Sequence, residues 1–177
     1  MPDTPPPPVL SDVIDVGSWA RFSPSLAIFI DEQIRCHRLP DGLNIDRGLA
    51  VRLVAPAPVI TESDLLESEG RKSGLRSLWR KRPPHLPSPE APGIVLMGKD
   101  DGVEMRAPAL DTEGRVLLGD DACAQLTALG WARREDRLMR TVEDGRTAAE
   151  VVTRVLIEVL RVAHPADLSW LVLEQSC

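Results

Sequence analysis

The sequence predicts a fold that mixes helices with antiparallel strands, and three patterns carry that prediction. Ile94 to Met97 and Val103 to Ala107 flank Gly98-Lys99-Asp100-Asp101-Gly102, a turn-rich stretch between two strand-like runs, which reads as a β-hairpin. Thr147-Ala148-Ala149-Glu150 is a capping box, and Val151, Val152, Val155, Leu156, Val159 and Leu160 follow it at helical spacing. Leu43, Ile45, Leu49, Val51 and Leu53 fall on odd positions, which places one apolar face on a strand or bent hairpin.

The remaining elements follow in chain order. Pro2 and Pro5 to Pro8 lack backbone donors and bring little apolar surface, so residues 1–9 are expected to form a disordered, Pro-rich tail. Ser23-Pro24 reads as a helix N-cap followed by proline at the first helical position. Leu26, Phe29, Ile30, Ile34 and His37 then continue a helix over about 23–38, ended by Pro40-Asp41-Gly42. Thr61 and Asp64 before Leu65 and Leu66 suggest a short capped helix. Residues 10–68 therefore form an N-terminal part of helix and strand. From 69 to 92 apolar periodicity lapses into a basic, Pro-rich linker, in which a helical turn around Leu75, Leu78 and Trp79 is the one local element. Beyond the hairpin, Asp120 or Asp121 caps a helix carrying Leu126 and Leu129, and Gly130 suits the left-handed position after its end. A strand over 138–142, a turn at Asp144-Gly145 and a last short helix or strand over 166–173 complete the 93–177 region.

With 177 residues, 43% hydrophobic and 27% charged, the chain has the composition of a globular protein with a buried core, which excludes fibrous and wholly disordered classes. The net charge of −6 is unevenly placed. Eleven acids balance eleven bases up to Pro89, whereas sixteen acids face ten bases after it. Attraction of the whole molecule to nucleic acid or anionic lipid is therefore not expected. The start carries no signal-like apolar run, no stretch of about 18 apolar residues spans a membrane, and three widely spaced cysteines make no disulfide framework. These features point to a cytoplasmic protein with reduced thiols.

Few motifs suggest chemistry. Gly93 to Lys99 has the spacing of a phosphate-binding loop, but its interior is Ile-Val-Leu-Met and Asp100 follows the lysine, so it reads as a strand. The acidic pairs Asp100-Asp101, Asp120-Asp121, Glu135-Asp136 and Glu143-Asp144 fall at turns and helix starts, where carboxylates serve local hydrogen bonds and the helix dipole. His37, His85 and His164 have no partner at metal-ligand spacing, and Cys36 reads as a core thiol. No cofactor is implied and no enzyme is expected. The sharpest local feature is basic. Arg71, Lys72, Arg76, Arg80, Lys81 and Arg82 surround Trp79, so Arg76, Trp79 and Arg80 are candidate partner contacts beside a plain solvated linker. The alternative function is a nucleic-acid-associated regulator acting through residues 71–82.

Leu126-x-x-Leu129-Gly130-Trp131 is followed by a polar turn, a strand, the helix with Ala148, Val152, Leu156, Leu160 and Arg161, and then Pro165-x-x-Leu168. Together with the hairpin containing Glu104, this pattern over about residues 93–172 resembles the TY-Chap domains of actinobacteria, relatives of YbjN proteins and of class I type III secretion chaperones. The resemblance implies a compact α+β unit, an antiparallel sheet covered on one face by helices, often paired as homodimers, that holds a peptide segment or partner protein. It carries no catalytic residues. Two departures stand out: Leu138-Met139 replaces an aromatic after Trp131, and residues 1–92 do not clearly match. On the hairpin, Val103, Met105 and Ala107 alternate with Glu104 and Arg106, making Val103 and Met105 candidate contacts on its apolar face.

Overall fold

A computed structural model describes residues 9–35, 37–38, 45–46, 49–60, 86–99 and 102–173. The tail over 1–8, Cys36, the capped helix at 61–66, the basic segment 69–85 with its turn near Trp79, His85, Asp100-Asp101 and Cys177 lie outside the described residues.

Helix α1 (Leu10–Val13) leads into α2 (Trp19–Phe29), which continues as a π-helical turn over Ile30–Ile34. The helix begins four residues before the expected Ser23-Pro24 start, with Ser18 as N-cap and Pro24 inside it. Pro24 forfeits one helical hydrogen bond. The preceding turn is anchored instead by Trp19, whose ring meets Phe22 edge-on at 5.4 Å and whose Nε1 donates to the Ala163 carbonyl at 3.2 Å. Strands β1 (His37–Arg38) and β2 (Ile45–Asp46) form a separate two-stranded ladder.

The main sheet is built from β3 (Ala50–Val54), β4 (Gly93–Lys99), β5 (Gly102–Pro108), β6 (Ala132–Arg134), β7 (Arg137–Val142) and β8 (Ser169–Leu173), antiparallel throughout, in the order β6-β7-β5-β4-β3-β8. This is the α+β architecture that the resemblance implied. The phosphate-loop look-alike at Gly93–Lys99 is β4, a plain strand. Strand β3 lies between β4 and β8, so residues before and after the basic segment share one sheet.

Helix α3 (Asp120–Ala128) has Gly119 at its N-cap, with Asp120 and Asp121 in its first turn, and ends at Gly130 with φ of 86°. Helix α4 (Gly145–Glu158) starts before the expected capping box. Asp144 is its N-cap and accepts from the Thr147 amide at 2.7 Å, so Gly145 is helical and not part of a turn. After α4, a 3₁₀ turn at Pro165–Asp167 leads into β8.

Helices α2 and α4 pack together and, with α3, cover one face of the sheet. The core there joins Phe22, Leu26, Ile30 and Ile34 of the first helical segment, Val152, Val155 and Leu156 of α4, and Val51, Leu53, Ile94, Leu96 and Leu138 of the strands. Trp131 is buried in the same core. At one end of the sheet, residues 86–90 are tied to the 109–118 loop. Asp111 accepts from Ser88 Oγ at 2.7 Å, from Arg115 Nε at 2.7 Å and from the amides of Glu113 and Arg115.

The α2 segment and α4 approach closely at Gly145, whose amide donates to Asp31 at 3.0 Å. A Cβ there would lie 2.7 Å from the Ala27 carbonyl and equally close to the Asp31 carboxylate. Gly145→Ala is therefore expected to push α2 from α4 and lower stability by about 1–3 kcal/mol, read as a lower urea midpoint at unchanged slope.

Candidate protein-binding surface

Alternation along each strand gives the sheet two unlike faces. Register aligns Val51, Leu96 and Met105 on the helix-covered side, with Val103 and Ala107 flanking on β5. Val103 and Met105 are thus fully buried beneath the chain's own helices, and the apolar face of the hairpin presents no surface. Arg76, Trp79 and Arg80, the other candidate contacts, lie outside the described residues.

The opposite face carries no helix among the described residues. A single register row crosses it: Leu171 of β8, Arg52 of β3, Val95 of β4, Arg106 of β5 and Met139 of β7. Leu171 is 54% exposed, and Arg52, Val95, Arg106 and Met139 are half-buried. Counting the strand positions of this face, Arg52, Lys99, Arg106, Arg134 and Arg137 are set against Glu104 as the one carboxylate. The face is therefore basic in a chain of net charge −6.

Glu104 is buried to 1% exposure on this side, bonded to Lys99 Nζ at 3.0 Å and to the Arg106 guanidinium at 2.5 Å. Burial alone would raise its pKa, but the hydrogen bonds from Lys99 and Arg106 outweigh it and hold the carboxyl below its ordinary value. Arg52 is placed differently. Among the described residues it has no carboxylate partner, its Nε is buried without a hydrogen bond, and its polar contact is a long 3.4 Å bond to the Ala91 carbonyl. Its stem passes over Gly93, where a side chain would collide both with Arg52 Nε and with the Leu53 carbonyl.

The two sheet edges also differ. Strand β6 is three residues long, fully exposed, and carries Arg133 and Arg134, the kind of charged, short edge that resists pairing. Strand β8 reads Ser-Trp-Leu-Val-Leu, has no charge, and exposes Leu171 and Val172 on opposite faces. Among the described residues no strand pairs with its outer side. Trp170 faces the helices and meets Phe29 edge-on at 5.6 Å, fixing β8 to the core.

Sequence reasoning missed Arg52, Val95, Met139 and Leu171. The signal was present as the second half of each alternating pattern, the positions between the apolar ones. The acidic pairs serve structure: Asp120 and Asp121 begin α3, Asp144 caps α4, and Glu135-Asp136 make the β6–β7 turn with Glu135 at φ of 51°. Burial raises the pKa of the Cys123 thiol, which leaves it a poor nucleophile. Among the described residues, no group of three His, Cys, Asp or Glu side chains could hold a metal ion, and no helix is long and apolar enough to cross a membrane.

Glu104 and Asp111 both have carboxyls held below their ordinary values in the fold, Asp111 because bonds from Ser88, Arg115 and two amides outweigh burial. Each therefore stabilises the fold fully above its unfolded pKa, about 4.3 for Glu and 3.9 for Asp, and loses that contribution as pH falls through the folded value. Thermal melts are expected to show stability declining below about pH 4, with a shallower decline in Asp111→Asn; an equal slope in both proteins would contradict this assignment.

Residues 76–173, more than half of the chain, match the family described as "TY-Chap3: T3SS (YopN, CesT) and YbjN peptide-binding chaperone 3". No curated protein and no solved structure matches the chain. The matched span contains β4 to β8, α3 and α4, so it holds five strands of the main sheet and two of the helices on it. With its helix-backed antiparallel sheet, the chain belongs to the TY-Chap3 family of peptide-binding chaperones.

Proposed function

We propose that the chain is a non-enzymatic chaperone-like or adaptor protein that holds an extended segment of a partner protein in the cytoplasm. One observation carries this reading: a helix-backed sheet in a peptide-binding chaperone family leaves an uncharged edge strand, β8, with Leu171 and Val172 exposed. An extended segment added to that edge gains main-chain hydrogen bonds from β8 and alternate side-chain contacts on both faces. Arg76, Trp79 and Arg80 fall inside the family match and are proposed as accessory contacts. Val103 and Met105 contribute from beneath, as the packed floor that keeps the sheet in shape.

The test is selection of the purified full chain against a random displayed-peptide library, followed by binding of enriched peptides to Leu171→Lys. A recurrent extended motif is expected. Its affinity should fall at least tenfold in the variant, with the thermal midpoint moved little because Leu171 is exposed. Failure to enrich any peptide, or full binding by Leu171→Lys, would count against the edge as the docking site.

A further inference from the structure

The uncovered face says more than that a segment docks; it says which kind. Across five neighbouring strands, the row Leu171, Arg52, Val95, Arg106, Met139 alternates aliphatic and cationic side chains. Neighbouring strands are about 4.8 Å apart, so the two arginine positions are separated by about 9.6 Å, close to one three-residue turn of a chain extended as polyproline II, in which positions i and i+3 share a face. The apolar members are aliphatic or methionine, with no aromatic ring on which a base could stack, whereas the tryptophan of β8 faces the helices. Methionine and aliphatic side chains fit other aliphatic side chains.

The charge state of the row is also informative. Arg106 already holds a carboxylate, Glu104, within the chain itself. Arg52 stands two strands away with no carboxylate partner among the described residues and with Nε buried and unbonded. A half-buried guanidinium left in this state is costly unless an acceptor reaches it. Of the five cations, Lys99 and Arg106 share Glu104 and Arg137 meets Asp136 at 3.2 Å, so among the described residues Arg52 and Arg134 are the two left to attract acidic groups, although the chain as a whole is acidic.

We infer that the sheet face opposite the helices selects acidic-aliphatic peptides extended as polyproline II, with one ligand carboxylate on Arg52 and a second drawn to Arg106 in competition with Glu104. This rests on the peptide-holding reading above and specifies its ligand, with the acidic part of the segment lying across the strands over the face and not along the β8 edge. Glu104 thereby acts as an internal stand-in for the ligand, moderating affinity at one of the two positions.

The experiment is fluorescence anisotropy on the full chain with four probes: a nonapeptide of leucine and valine bearing glutamates three residues apart, the same peptide with lysine for glutamate, one with serine for the aliphatic residues, and a short oligothymidylate. The glutamate-aliphatic peptide is expected to bind at least tenfold more tightly than the other three, and less tightly at high salt. Arg52→Gln should weaken it about tenfold, the loss of a charge-assisted bond. Glu104→Gln should tighten it by freeing Arg106; should that variant fail to fold, Arg134→Gln, with an expected loss of a few fold, takes its place. Equal binding of the glutamate and lysine peptides would overturn the acidic preference while leaving peptide holding intact. Binding of no peptide would overturn both readings, and an oligothymidylate that binds as tightly as the glutamate peptide would overturn the peptide as the occupant.

Discussion

The structure depends on where β3 sits. Five residues, Ala50 to Val54, pair on one side with β4 and on the other with β8, so a strand from the first third of the chain bridges the family-matched span to its own last strand. Without β3, β4 would become an edge and β8 would have no place in the sheet. The apolar side of the strand makes this position favourable: Val51 and Leu53 are fully buried against the helices, and removing either side chain would leave a core cavity costing about 2–4 kcal/mol. Its other side carries Arg52 onto the uncovered face. The same short strand thus closes the core and supplies the cation with the least satisfied surroundings.

That division runs through the whole sheet. On the covered face, hydrophobic burial dominates and the side chains are apolar, apart from Arg133 and Arg140 toward the β6–β7 end, where Arg140 donates to the Leu129 carbonyl at the end of α3. On the uncovered face, long arginine and lysine stems lie along strand surface while their heads stay polar, which allows charge and apolar contact within one patch. Burying Glu104 there without its two cations would be strongly unfavourable; with them, it remains ionised in the fold. The arrangement holds charge in readiness without exposing a large apolar area in the free chain.

Local signals were legible wherever neighbours in sequence are neighbours in space. The β4–β5 hairpin, the Gly130 terminator and the amphipathic face of α4 were all read from short-range patterns, and each is present. Helix starts were less legible, because two rival signals lay within five residues. At α4 the Asp144 cap prevails over the Thr147 capping box, and at α2 the packing of Trp19 and Phe22 prevails over the Ser23-Pro24 start. Strand order beyond the hairpin was not legible. Placing β3 between β4 and β8 is a pairing between distant segments, and periodicity states which side of a strand is apolar without naming its neighbours. For the same reason the candidate contacts on the hairpin were placed on its apolar side: a period-two pattern marks Val103 and Met105 as one face but does not say that the chain's own helices cover it.

The contrast between the two edges follows from the same logic. An exposed strand edge is a hazard to any sheet, and β6 meets it by being short and doubly charged. Strand β8 uses none of those devices, although it is longer and ends the same sheet. Stability alone gives no reason for leaving it so, since a charge at Leu171, which is exposed, would cost the core little. An uncharged edge beside a basic face offers two kinds of contact, main-chain pairing along β8 and charge selection by a row that crosses the strands. The first interaction is blind to sequence and the second is not, so a protein that must hold a segment and also discriminate among segments has use for both.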